Sequence, residues 1–151
     1  MIRWLWYYCR LVEVLDVRAN RWRCAPSLIN IRSGAGVTVW QDHIVAVGGH
    51  RGAEVHLSVE MLIDNTWREL PSMTVIRRNA AVVAVNDYLF AVGGDDGASH
   101  LSTIESIQLQ AEAFSEPQKI DASVAEWNLL QVQMPQGRSY AGIALLPRDG
   151  S

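Results

Sequence analysis

The chain has 151 residues, 49% of them hydrophobic, with 13 Lys and Arg against 16 Asp and Glu and a formal net charge of −3. That length suits one domain with ample core material, and the mild acidity gives no electrostatic case for nucleic acid or an anionic membrane. The two cysteines, Cys9 and Cys24, form no C-x-x-C pair; this suits neither a disulfide framework nor a zinc site and fits a reducing compartment, so the expected location is cytoplasmic.

The chain opens with MIRWLWYYCR, whose uncharged apolar run lasts only from Trp4 to Cys9. That is too short for a signal peptide core or a membrane span, so residues 1–10 read as an irregular start. Residues 11–28 give two strands, one with Glu13 and one with Trp22. Residues 29–73 give four. Arg32 and Ser33 lead into a strand near 36–40. A polar turn at Gln41 and Asp42 follows, then a strand near 44–47 ending in Gly48-Gly49. After a loop with His50 and Arg51 come a strand near 59–63 carrying Glu60 and one near 67–70 opening with Trp67, ahead of Met73. Four short alternating strands bounded by turn residues predict an antiparallel meander.

Residues 74–134 repeat the plan with Arg77, Arg78 and Asn79, then Gly93-Gly94, Asp95 and Asp96, Glu105, Trp127 and Met134. Gly48 to Gly93, Glu60 to Glu105 and Trp22 to Trp67 are each 45 residues. A fixed period of this size marks stacked supersecondary units. The glycine pairs stand where the chain leaves a strand with torsions or close packing that a side chain forbids. Glu105 to Trp127 spans 22 residues against 7 from Glu60 to Trp67, which predicts an insert at about 110–126, read as a solvated loop. Residues 135–151 restart the frame with Arg138, Ser139 and Tyr140 and give the first strand of a further unit.

This pattern resembles the kelch repeat and, in detail, the kelch-like (BTB-kelch) adaptor family. The shared marks are the double glycine, a Glu eleven residues after its second Gly, and a Trp followed six residues later by Met, as in Trp67 and Met73. The segments RSGAGVTV and AVGG match the adaptor subgroup. The resemblance implies an all-β fold: a partial kelch β-propeller of four-stranded antiparallel blades, two full and two partial. Gly48, Gly49, Glu60, Trp67, Met73, Gly93, Gly94, Glu105, Trp127 and Met134 are then the structural residues of the repeat. A propeller needs about four to eight blades. Projected backwards, the frame puts the glycine pair belonging to Glu13 at Met1 and Ile2, so the sequence is expected to begin inside a blade, as a partial chain.

The resemblance also implies a protein–protein interaction module, the substrate-recognition propeller of a ubiquitin-ligase adaptor and not an enzyme. A cullin-type ligase would be reached only through a BTB domain, which this sequence does not contain. An actin-binding or cytoskeletal kelch protein is the alternative; a kelch-propeller enzyme, a copper oxidase or sugar isomerase, is a further one. In the adaptor subgroup partner peptides lie at the channel mouth. The loops entering each first strand would supply Arg32, Ser33, Arg77, Arg78, Asn79, Arg138, Ser139 and Tyr140, and the loops after each glycine pair His50, Arg51, Asp95 and Asp96. Arg32, Arg77 and Arg138 share one frame position and would form an arc suited to an acidic peptide, because guanidinium grips carboxylates bidentately. The opposing reading is that these arginines brace the blade junctions. Asp95 and Asp96 could neutralise neighbouring Arg charge.

No residue pattern argues for a cofactor or metal. His43, His50, His56 and His100 show no helical i, i+4 pair and are expected in solvated turns or loops. Asp95-Asp96-Gly97 lacks the alternating carboxylates of a calcium loop and reads as a turn. Glu60 and Glu105 occupy one frame position in two blades, so they are expected to be structural rather than a catalytic pair. Isolated repeats also leave apolar faces uncovered at both ends.

Overall fold

The computed structural model describes residues 10–110 and 125–146. All but Arg10 of the expected irregular start, most of the insert and the final five residues lie outside that range. All regular structure among the described residues is β. A hairpin of β1 (Val12–Asp16) and β2 (Arg21–Ala25) comes first. Next are β3 (Gly36–Trp40), β4 (His43–Val47), β5 (His50–Arg51), β6 (Glu54–Val55), β7 (Val59–Ile63) and β8 (Thr66–Leu70). The order β3-β4-β7-β8 makes one four-stranded antiparallel sheet, with β5-β6 a small hairpin in its loop. The second such sheet is β9 (Ala81–Val85), β10 (Tyr88–Val92), β11 (Ile104–Gln108) and β12 (Asn128–Leu129). The strands of the first sheet fall within a residue of those expected. We call the two sheets blades 1 and 2, and β1-β2 a half blade.

Alternation along the strands decides which face meets which blade. In β3, Gly36 and Trp40 are buried while Val37 and Val39 are exposed. The buried side faces blade 2: a Cβ on Gly36 would lie 2.2 Å from Val82 Cγ2, and Trp40 Nε1 donates to the Asn86 carbonyl at 3.1 Å. The apolar core therefore lies between the blades, joining Trp40, Val45, Val59 and Met61 to Val82, Leu89 and Ala91. Outer strands are stapled as well. Trp67 Nε1 donates to the Pro26 carbonyl of the half blade at 2.8 Å, and Trp127 Nε1 to the Pro71 carbonyl of blade 1 at 2.9 Å.

The glycine pairs also work across the junction. Gly48 and Gly49 have φ of +62° and +96°, and Gly93 and Gly94 +63° and +92°. A Cβ on Gly48 would sit 2.2 Å from the Arg77 carbonyl oxygen, and one on Gly93 2.5 Å from that of Arg138. This close approach lets Gly49 N donate to Arg77 O at 2.8 Å and Gly94 N to Arg138 O at 2.7 Å. Each glycine turn thus holds the entry of the next blade.

One expectation is corrected. Residues 142–146, the expected first strand of a further blade, form no strand. A first strand bonds to the second strand of its own blade, and no described segment fills that place.

Gly48→Ala should destabilise the fold by about 1–3 kcal/mol through its left-handed torsion alone, and by more if the Arg77 carbonyl cannot withdraw. A lowered urea midpoint at unchanged slope would show it.

Candidate partner-binding rim

Arg32 and Arg77 do not reach the rim. Both are buried, with side-chain exposures of 0%. The Arg77 guanidinium donates from Nε to Glu105 at 3.1 Å, from Nη1 to the carbonyls of Gly93 at 2.7 Å and Thr103 at 3.1 Å, and from Nη2 to Thr103 Oγ1 at 2.9 Å. Arg32 repeats this with Glu60 at 2.5 Å, the Gly48 and Ser58 carbonyls, and Ser58 Oγ at 2.9 Å. The carboxylates are filled from the segment before each blade. Glu60 accepts from the Ile29 and Asn30 amides at 2.7 and 3.0 Å, and Glu105 from the Thr74 hydroxyl and the Thr74 and Val75 amides. The arc of partner-facing arginines is therefore corrected at these two positions: the charges are consumed inside their own blades. The sequence carried the signal, since Arg and Glu stand 28 residues apart in both repeats. Arg138 differs. Its carbonyl is engaged like that of Arg77, but the residue is exposed.

What the rim presents comes from the residues just after these arginines and from the post-glycine loops. Ser33 and His50 exchange backbone hydrogen bonds at 2.9 and 2.8 Å, and Arg78 and Asp95, their counterparts in blade 2, do so at 2.9 Å each way. Arg78 Nε also meets Asp95 Oδ1 at 2.8 Å, and His100 Nδ1 lies 3.4 Å from Asp95 Oδ2. Asp95 thus neutralises Arg78. The Gly97 amide, donating to Asp95 Oδ1 at 2.8 Å, holds its pKa below the ordinary value, aided by Arg78 and His100. Asp96 is lowered by the amides of Ala98 and Ser99, at 2.8 and 2.7 Å. The Asp95-Asp96-Gly97 turn is an Asx turn, as its sequence suggests. Arg51 is exposed at the tip of the β5-β6 hairpin, opposite Glu54 in register. The histidines are less solvated than expected: His43 opens β4 and its Nδ1 lies 3.2 Å from the Leu62 carbonyl, while His56 Nε2 lies 3.1 Å from that of Ile31.

A second tier is only partly legible in the sequence. Gly34, Asn79 and Tyr140 each lie two residues after a frame arginine and have φ of +59°, +55° and +56°. Asn79 N donates to Gly34 O at 2.7 Å and Tyr140 N to Asn79 O at 3.0 Å. This main-chain ladder lines up consecutive entering loops. It leaves Asn79 half-buried, Ser139 half-buried and the Tyr140 ring 83% exposed. Among the described residues no three His, Cys, Asp or Glu side chains are grouped as a metal would need.

Two stretches of this arrangement, residues 31–74 and 76–116, match the family model of the kelch motif, together more than half of the chain. The chain belongs to the kelch-motif family. A search of curated proteins finds no match. Kelch repeats build propellers that bind other proteins, so the chain supplies a protein-interaction module. In its kelch blades the double glycine and the Arg–Glu pair are scaffold, and the stretches at 33, 50–51, 78–79, 95–96 and 139–140 lie outside the four-stranded sheets.

Arg77→Ala should unfold or strongly destabilise the chain, by about 3–5 kcal/mol, because Glu105 would stay buried without its cation. Arg77→Lys should recover little, since one ammonium cannot span the same fork of acceptors. Thermal melts of both variants decide this. For the rim, the depressed Asp95 and Asp96 carboxylates stabilise their loop above the ordinary aspartate pKa, and that contribution is lost as pH falls through the lower folded values. Amides at 97–99 should therefore keep full hydrogen-exchange protection down to about pH 4 and lose it below.

Proposed function

We propose that this kelch module is a non-enzymatic substrate-recognition surface, the propeller part of a cytoplasmic ubiquitin-ligase adaptor, whose recruiting domain would lie outside this sequence. The resemblance of RSGAGVTV and AVGG to the adaptor subgroup supports the adaptor reading. The observation that carries the binding role is the ladder through Gly34, Asn79 and Tyr140, which sets loops of consecutive blades side by side at one mouth. Its preferred partner is a peptide with an acidic residue near an apolar or aromatic one. Arg51 is an exposed rim cation, as is Arg138, whereas Arg32 and Arg77 are sequestered and Arg78 is held by Asp95. The Tyr140 ring offers a stacking face.

Peptides selected from a displayed library against the immobilised chain should carry such a pair. Arg51→Ala and Tyr140→Ala should each weaken their binding by about 1–3 kcal/mol, the range of a charged hydrogen bond or a buried aromatic anchor. Selected peptides that bind both variants unchanged would move the site off the rim. Cosedimentation with filamentous actin, lost in neither variant, would favour the cytoskeletal alternative instead.

A further inference from the structure

The rim loops repeat a row of three residues held side by side by main-chain pairing. In blade 1 the row is Ser33, His50 and Val55, with Ser33 bridged to His50 and His50 paired with Val55. In blade 2 it is Arg78, Asp95 and His100, each bridged to the next. The two rows correspond residue for residue at a spacing of 45. Directly opposed residues of an antiparallel pair share a face, so each row presents its side chains together. One histidine stands in each row.

Both histidines have one ring nitrogen engaged. His50 Nδ1 lies 2.9 Å from the Gly52 carbonyl. A carbonyl only accepts, so Nδ1 carries the hydrogen, and in the neutral ring Nε2 is left as an acceptor. His100 Nδ1 faces Asp95 Oδ2 at 3.4 Å. The Gly97 amide holds the Asp95 carboxyl below its ordinary range, so this carboxylate too only accepts and Nδ1 again carries the hydrogen. Nε2 of neither ring has a hydrogen-bond partner among the described residues. A proton added to either ring therefore lands on Nε2. It turns an acceptor into a charged donor without disturbing the contact on the other side of the ring.

The surroundings let those protons set the sign of the rim's charge. Beside His50, the β5-β6 hairpin carries Arg51 opposite Glu54. Val55, at the end of the same row, meets the next blade's turn, where a Cβ on Gly97 would lie 3.5 Å from Val55 Cγ2. Around His100 stand Asp95, Arg78 and Asp96, and behind it the segment leading to Arg138. A Cβ on Gly137 would lie 2.2 Å from the His100 carbonyl oxygen, and Arg138 N donates to the Leu101 carbonyl. Arg51, Arg78 and Arg138 thus stand against Glu54, Asp95 and Asp96, three of each sign. With the fixed charges balanced, the two histidines decide whether this face is neutral or positive. Histidine is the side chain that charges between about pH 5 and 8.

We propose, resting on the peptide-binding reading above, that an acidic peptide binds the rim with uptake of protons by His50 and His100, whose charged Nε2–H groups donate to its carboxylates. Each proton comes from solvent and forms an N–H bond at Nε2; nothing is oxidised or reduced. Because the bound state holds more protons, affinity falls as pH rises through the histidine range. Aspartate and glutamate side chains of a peptide stay ionised down to about pH 5, and Asp95 and Asp96 titrate below their ordinary value. The carboxylates are therefore constant over the window in which the histidines charge.

Calorimetric titration of the chain with an acidic peptide from the displayed library tests this. The binding heat should depend on the ionisation enthalpy of the buffer in the sense of proton uptake. The dissociation constant should be about threefold to tenfold lower at about pH 5.5 than at about pH 7.5. His50→Gln and His100→Gln should each reduce that slope. Together they should abolish it while leaving affinity at the higher pH within about twofold. His43, at the far end of β4 from the glycine pair, is the control, and His43→Gln should keep the full slope. A peptide that binds through Arg51 with no proton uptake, or a doubly substituted chain that keeps the original slope, overturns the proposal and leaves the rim site standing. A selection that yields no acidic peptide removes the rim reading and the proton coupling with it.

Discussion

A guanidinium removed from water has to be matched at its N–H groups, and this fold is organised around doing so twice. The Arg77 side chain turns into its own blade, where Glu105, the Gly93 and Thr103 carbonyls and the Thr103 hydroxyl receive it. Its main-chain carbonyl points the other way and accepts the Gly49 amide of the preceding blade. One residue thus fixes the first, second and third strands of its blade relative to each other and fixes that blade to its neighbour. The glycine at 48 follows from this, because any side chain there would collide with the same carbonyl. A buried pair of this kind is weak evidence of net stability, since desolvation offsets most of the attraction. Its contribution is geometric: a single arrangement satisfies the fork.

That arrangement separates scaffold from surface along a few consecutive residues. Position 77 is wholly internal, position 78 is neutralised by Asp95, and position 79 joins the main-chain ladder. The same sequence holds at 32 to 34, where Arg32 is internal, Ser33 pairs with His50 through the backbone and Gly34 has no side chain to offer. The hairpin tip at Arg51, the Asp96 turn and the Tyr140 side chain differ between blades and take no part in the Arg–Glu pairing.

The strands were legible because their alternation is strong and their turns are marked. Gln41 and Asn86 close the tight hairpins with φ of +51° each, and the glycine pairs end the second strands. The repeat was legible because three residue types recur at one spacing. The direction of the arginine side chains was not. Frame position places Arg32 and Arg77 at the entering loops, but a loop residue can point outward or inward, and only the pairing with Glu60 and Glu105 decides. The recurrence of that pair at one spacing was the available clue. The ladder was half legible: glycine and asparagine tolerate the left-handed region, whereas Tyr140 gives no such hint. The Trp staples onto Pro26 and Pro71 depend on carbonyl positions, which no residue pattern announces.

The main-chain ladder through Gly34, Asn79 and Tyr140 has a consequence for how these loops can change. Their spacing is set by amide-to-carbonyl distances, which any residue but proline supplies, so substitutions there alter the chemistry of the loops without altering their spacing. The filter on what may be substituted is torsional at all three positions and at Gly34 also steric, since a Cβ there would lie 2.3 Å from Asn79 Oδ1. A left-handed φ disfavours β-branched residues most and glycine and asparagine least. The palette at these positions is thus narrowed before any partner is considered, and a large ring such as that of Tyr140, held at φ +56°, stands there against the local backbone preference.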